Sequence, residues 1–427
     1  MVDSAQQRGR IWRAPLALTF LLASVVVGTQ SQAQTFTVLH TFHGNDGADP
    51  IGQLIRDNDG NFYGTTIVGG TGNCQGGCGA AFKMNKSGRM VWVHSFKSGN
   101  GRQPLAGLLR DEAGDLFGTT ELGGLLGCAP PDGCGTVFKL NIAGKETVLH
   151  KFNASQSGYG PESLLVEDSE GNLYGTTYIG GEKGYGTVFK IDKAGGEKIL
   201  HNFTGGSDGC TPSSGVIRDW AGNLYGVTLD GGAGFCNSGL GVVFKVDTAG
   251  HETVLHTFSG GNGANPSTAL LFDQQGNLYG ATDNGGTSDV CDRGCGTVFE
   301  LSPQEDGSWS ETVLYNFCSL SNCADGEEPA RGPLVRDAAG NLYGTTYFGG
   351  KYINCNGSGC GVVFKLDTNG KESVLHNFKG AADGAEPFAG LAIDAAGNLY
   401  GAALEGGDLK CKISGIPGCG TVFKITP

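Results

Sequence analysis

"SLLVEDSEGNLYGTTYIGGEKGYGTVFKIDKAGGEKILHNF", Ser163 to Phe203, holds four short apolar stretches and no helical period. "SLLVE" ends at the turn Asp168-x-x-Gly171-Asn172, and "NLYGTT" runs from Asn172 into a Gly-rich loop. "GTVFKID" starts at Gly186, and "EKILHNF" starts at Glu197 after the turn Lys193 to Gly196. Asp-x-x-Gly-Asn is turn chemistry, because the Asp carboxylate accepts local N–H groups and Gly or Asn tolerates positive φ. The stretch therefore predicts four antiparallel strands joined by turns.

The unit recurs. Gly-Asn-Leu-Tyr-Gly, with small variations, starts at Gly60, Gly114, Gly171, Gly222, Gly276, Gly340 and Gly397, at spacings of 51 to 64 residues. Four strands per repeat at a period near 50 define a propeller blade. The fold class is all-β, a seven-bladed β-propeller of four-stranded antiparallel blades.

The last repeat, "CGTVFKITP" from Cys419, lacks the strand that follows its equivalents, such as "ETVLHKF" from Glu146. The matching piece is "TFTVLHTF", Thr35 to Phe42. A strand over 35–42 is expected to complete the C-terminal blade beside 390–393, 398–403 and 420–425, closing the ring and leaving no bare edge.

Ahead of that strand, Arg8, Arg10 and Arg13 precede an apolar run from Ala14 to Gly28 and a small-x-small site at Ser31-Gln32-Ala33. This reads as a signal peptide over 1–33 followed by one propeller domain over 34–427. No later stretch is long and apolar enough for a membrane-spanning helix. The product is expected to be exported, to the periplasm or beyond the cell. Fourteen cysteines in such a chain predict a disulfide framework. Cleavage would take the net charge from -13 to -15 by removing three Arg and one Asp, which argues against a nucleic-acid partner.

The repeated pattern DxxGNLYGTTxxGG...GxGTVFKLDxxGxETVLHxF resembles the bacterial GloVer-type tandem-repeat proteins across the whole mature chain. More distantly it is similar to NHL and two-component-regulator propeller repeats. The resemblance implies an exported repeat architecture. It assigns no activity, cofactor or site residue.

Several repeated residues invite a chemical reading and are better explained as scaffold. His40, His94, His150, His201, His256 and His376 recur at one outer-strand position, with Tyr315 as the seventh. Alternation places them on the packed face, one per blade, too far apart to share a metal. The turn aspartates supply one or two oxygens per repeat where calcium takes six to eight, so no metal site is expected. Arg56, Arg110, Arg218 and Arg336 are expected to pair with carboxylates on neighbouring blades. The strand glycine Gly175 and its equivalents are expected to answer to blade-to-blade packing. No cofactor motif or catalytic residue emerges. Among the innermost segments, from Gly-Gln-Leu-Ile at Gly52 to Ala-Gly-Leu-Ala at Ala389, only Glu167 is acidic, which makes the channel a poor active site.

The long loops fall on one rim. Cysteine spacing there predicts the pairs Cys74–Cys78, Cys128–Cys134, Cys291–Cys295, Cys355–Cys360 and Cys411–Cys419, with Cys318–Cys323 in the loop leading into blade six. Blade four departs from the pattern, and Cys210–Cys236 is the geometrically reasonable pair. The two residues between Thr-Thr and Gly-Gly differ most between repeats. Among them Glu121, Tyr178, Asp230, Asp283, Tyr347 and Glu405 are the candidate ligand-binding residues, aromatic platforms beside carboxylates as a sugar requires. The favoured function is a binding or cell-surface interaction module for a glycan or protein ligand. The alternatives are a carbohydrate-active hydrolase or lyase with loop-borne carboxylates and a purely structural surface protein. Oligomeric state is not legible.

Overall fold

The computed structural model describes residues 34–426 apart from 126, 127, 129–131, 356 and 414–416. The expected signal peptide lies outside the described residues. Seven antiparallel sheets follow one another, each with a core of four strands. In blade three these are Val166–Glu167, Leu173–Thr177, Thr187–Ile191 and Glu197–Asn202. Blades one, five and six add a short strand from the loop that leads into them, such as Glu327–Pro329. The described residues hold no helix long and apolar enough to cross a membrane.

The ring closes as expected. Thr35–Thr41 pairs antiparallel with Thr421–Thr426, and the sheet continues through Leu399–Ala403 to Ala392–Ile393. Phe42, just beyond this strand, is fully buried and meets Phe82 of blade one at 5.4 Å. The same pairing of a Phe after one outermost strand with a Phe in the next blade's third strand occurs at all seven seams. Examples are Phe152 with Phe189 at 5.1 Å and Phe378 with Phe423 at 5.3 Å. The core is thus seven seams rather than one centre.

Local chemistry sets each blade. Asp168 accepts from Asn172 N, Asn172 Nδ2 and the Tyr174 hydroxyl, and the other turn aspartates with an Asn and Tyr partner repeat the pattern. Burial alone would raise the Asp168 carboxyl, but these hydrogen bonds outweigh it and bring its pKa down to about 2. The aspartates are turn caps. Gly175 lies opposite Phe189 in the register, and a Cβ there would come within 2.7 Å of that ring. The strand glycine therefore makes room for a Phe of its own blade, not for a neighbouring blade.

Each outer-strand His packs edge-on against the Phe two residues later, as His150 does with Phe152 at 4.9 Å. Its polar partner depends on the lead-in loop. Where the loop carries Asp, that residue pairs with the ring, as in His40–Asp46 at 2.8 Å and His376–Asp383 at 3.2 Å. Where it carries Asn or Ser, a Glu from the next blade approaches the ring: His94–Glu146 at 3.0 Å, His150–Glu197 at 3.6 Å and His256–Glu311 at 3.3 Å, with the loop's Asn262 Nδ2 also 3.0 Å from His256 Nε2. Burial pushes Glu197, Glu252 and Glu372 at these seams up to about 7. The arginines behave differently from expectation, because none of the four makes an ion pair among the described residues. Arg56 lies 6.0 Å over Phe62 and Arg336 lies 5.6 Å over Tyr279 of the preceding blade. A weakly hydrated guanidinium packs well on a ring face when no free carboxylate is in reach.

Candidate functional site at the channel mouth

The loops leading into the blades share the motif [Asp/Asn/Ser]-Gly-x-x-Pro, and the residue before Pro is left-handed in every blade. Gly160 fills the position in blade three, while Asp49, Gln103, Thr211, Asn265, Glu328 and Glu386 hold φ between 51° and 58° elsewhere. Such a backbone is unfavourable for these residues unless the surroundings fix it. They are fixed by the neighbouring blade: the N–H of Glu328 donates to the carbonyl of Cys295 at 3.0 Å, and that of Glu386 to Cys360 at 2.9 Å. The acceptor cysteines are themselves tied down. The structure joins Cys74 to Cys78, Cys128 to Cys134, Cys210 to Cys236, Cys291 to Cys295, Cys318 to Cys323, Cys355 to Cys360 and Cys411 to Cys419. The four sulfurs of Cys291, Cys295, Cys318 and Cys323 lie within 4.8 Å of one another, but all are spent in disulfides.

These polar residues stand beside the six candidates, which form cross-seam groups rather than one row. Asp230 accepts from the Thr211 hydroxyl and from Asn265 Nδ2, both at 3.3 Å. Tyr178 lies close enough to Asp230 and Glu162 for both carboxylates, after burial, to hold its hydroxyl proton on more tightly. Tyr347 hydrogen-bonds Glu386 and packs against Phe388 at 5.4 Å, and its hydroxyl pKa is raised by burial and by Glu386, Glu405 and Glu328. Burial and the adjacent Glu386 push Glu405 up to about 8. Glu121 is raised by burial despite Arg102 nearby. Asp283 accepts from Ser267 and lies 3.9 Å from Arg331 Nε, with burial pushing it up to about 6.

Sequence reading missed the residues that connect these groups. Blade six has four residues between Pro329 and Leu334 where the other blades have three, and the extra length carries Arg331. Arg331 and Glu162 border one cavity of about 120 Å³ at the channel mouth, with Gln53, Ser213 and Phe388. The guanidinium lies 5.6 Å over Phe388 and acts electrostatically on Glu162, Tyr178, Asp283 and Glu328. Burial first, and neighbouring carboxylates second, push Glu162 and Glu328 up to about 7. The acidic poverty of the channel wall holds only from Ser163 inward, since Glu162 sits one residue upstream of the innermost segment. The repeat count was the signal: an insertion in a single blade's lead-in loop.

The repeat motif itself matches a family. The Gloeobacter/Verrucomicrobia repeat model fits residues 24–167, 127–354 and 238–427. The chain belongs to the Gloeobacter/Verrucomicrobia repeat family. No curated protein matches this Gloeobacter/Verrucomicrobia repeat chain. In fold it is similar to the extracellular domain of a hybrid two-component system from B. thetaiotaomicron, with TM-score 0.53, 14% identity, and coverage of 92% of this chain and 42% of that one. A luciferin-regenerating enzyme has TM-score 0.44 and 16% identity over 75% of this chain and 90% of its own. A gluconolactonase from Xanthomonas campestris has TM-score 0.39 and 15% identity over 74% of this chain and 82% of its own.

Proposed function

We propose that this protein is an exported binding module that takes the end of a hydroxyl-rich glycan at the channel mouth. The observation that carries this is the gathering of Glu162, Asp283 and Glu328 around the one guanidinium of Arg331 beside a cavity. Carboxyls with pKa values of about 6 and 7 are partly protonated near neutrality, so the group both donates and accepts. Sugar hydroxyls ask for that combination. The cavity is well below the roughly 300 to 1,000 Å³ of pockets that enclose a whole small ligand. It suits one terminal residue, with the chain continuing over the loops that bear Glu121, Tyr178, Asp230 and Tyr347. Export is supported by seven disulfides, which persist in oxidising compartments, and by the likeness to an extracellular domain.

A hydrolytic reading has one observation in its favour, the hydrogen-bonded carboxyl pair Glu386 and Glu405 with Glu405 raised to about 8. Both are buried, at 1% and 8% exposure, which removes them from a bound ligand and favours binding without turnover. A glycan array run beside a polysaccharide activity screen separates the two. Saturable binding without product is expected, and Arg331→Ala should abolish it while barely moving the melting temperature, since a part-exposed ion pair contributes about 0 to 1 kcal/mol. Retention of array binding in that variant would remove the site from the channel mouth. Turnover would establish the hydrolytic reading.

A further inference from the structure

The opposite rim, where the tight turns lie, departs from sevenfold symmetry at one seam. The residue after the turn aspartate is Asn58, Glu112, Ser169, Gln274, Ala338 or Ala395 in six blades and Trp220 in blade four. Trp220 is 97% exposed and stacks on no other ring among the described residues. In the next blade, the hairpin between third and fourth strands is four residues longer than its equivalents. Leu301 pairs with Glu311, and the ladder runs on through Ser302–Ser310 to Pro303–Trp309. These two departures are separate in sequence and meet at one place: Trp220, Trp309, Tyr225, Phe272 and Pro303 line a groove of about 490 Å³ between blades four and five. Tyr225 bridges its walls, 5.1 Å from Phe272 and 6.4 Å from Trp309.

The polar groups of the groove define the ligand. Asp219 and Asp273 line it, yet each carboxylate already accepts from an Asn backbone, an Asn side chain and a Tyr hydroxyl. Little acceptor capacity is left for a cation. Lys245 already covers the face of Tyr225 at 5.7 Å, and Arg218 adds a second positive charge. An aromatic cage for a quaternary ammonium is therefore disfavoured. What remains is exposed indole surface and the exposed side-chain amides of Gln274 and Gln275, with Arg218 in the wall, its Nε shut off from solvent. Ring faces beside uncommitted donors suit an uncharged pyranose, with its apolar C–H face and equatorial hydroxyls. We propose that this seam is a second binding site, for a segment of a neutral polysaccharide, independent of the channel mouth.

The test is titration of the full mature chain with cellohexaose, maltohexaose, xylohexaose and mannohexaose, read by tryptophan fluorescence and calorimetry. At least one should bind saturably. Trp220→Ala should weaken that binding by about tenfold or more, the loss of one aromatic contact, with an unchanged melting temperature because the indole is 97% exposed. Arg331→Ala should leave it intact, which separates this site from the channel mouth. The proposal is overturned if none of the four binds, or if the Trp220 variant binds as well as the parent. It is equally overturned if choline saturates the fluorescence change instead, or if sedimentation shows a dimer that Trp220→Ala dissociates, since the groove would then serve a cation or a second copy.

Discussion

Glu197 illustrates how a single residue carries the logic of a seam. Its carboxyl is 16% exposed, sits 3.6 Å from His150 and has one oxygen without a partner. Burial pushes its pKa up to about 7, so at pH 8 the fold holds a charge it disfavours. Glu197→Gln should raise stability at pH 8 by about 1 to 3 kcal/mol, from the roughly 1.4 kcal/mol carried by each pKa unit discounted for partial exposure. At pH 5 the gain should vanish, because the carboxyl is then neutral. Denaturant titrations at both pH values check this, and equal effects at the two would refute the burial argument. Sequence made the His positions legible as packing sites, since alternation fixes the face they occupy. It did not reveal that Glu146, Glu197 and Glu311 answer them, because those partners lie about 50 residues away on the next blade.

At the scale of the element, the strand Thr35–Thr41 is the one with the most distant neighbour in the chain. Phe36 stacks on His376 at 3.7 Å, where five other seams place a Glu, and Phe42 is buried against Phe82. Phe36 and Val38 are both only half-buried, so the fully buried Phe42 is the main anchor of closure. Phe42→Ala should destabilise by about 3 to 5 kcal/mol, as large-to-small core changes do. Phe152→Ala, at an ordinary seam, should cost about the same. Deleting Gln34 to Phe42 should cause aggregation or a much lower melting temperature, because it bares the edge of Thr421–Thr426. An unchanged melting temperature in either the point variant or the deletion would show that the ring is held elsewhere.

For the whole molecule, acidity and stability are linked through two opposed sets of carboxyls. Glu162, Glu197, Glu252, Glu328 and Glu372 have folded-state pKa values of about 7, and Glu405 of about 8. Raised groups contribute stability that is fully present below the unfolded value of about 4.3 and is lost as pH rises through 7 to 8. The turn aspartates run the other way. Asp57, Asp168, Asp219, Asp273, Asp337 and Asp394 are lowered, so their contribution is present above about 3.9 and lost as pH falls through their folded values. Burial lowers His150 and His256, which costs stability below about 6.5 and blunts the gain without reversing it, two groups against six. Melting temperature should therefore be higher at pH 5 than at pH 8 and fall again below about pH 4. Calorimetry across pH 3 to 9 measures it, and a monotonic rise from pH 5 to 8 would contradict the account.

The sequence by itself determined the blade, the number of blades and the closing strand. Each follows from local turn chemistry, two-residue alternation and a fixed repeat length, all of which act between residues close together in the chain. Short-range cysteine spacing likewise pointed to pairs within single loops. Only the tertiary structure decided which side chains face one another across a seam. Arg331 meets Asp283, Glu162 and Glu328 because one added residue shifts a loop beside a neighbouring blade. Trp220 meets the blade-five groove because a hairpin from another repeat extends beside it. Such contacts depend on the angle and spacing between rigid sheets, which are set by seven pairs of buried phenylalanines and not by any local sequence.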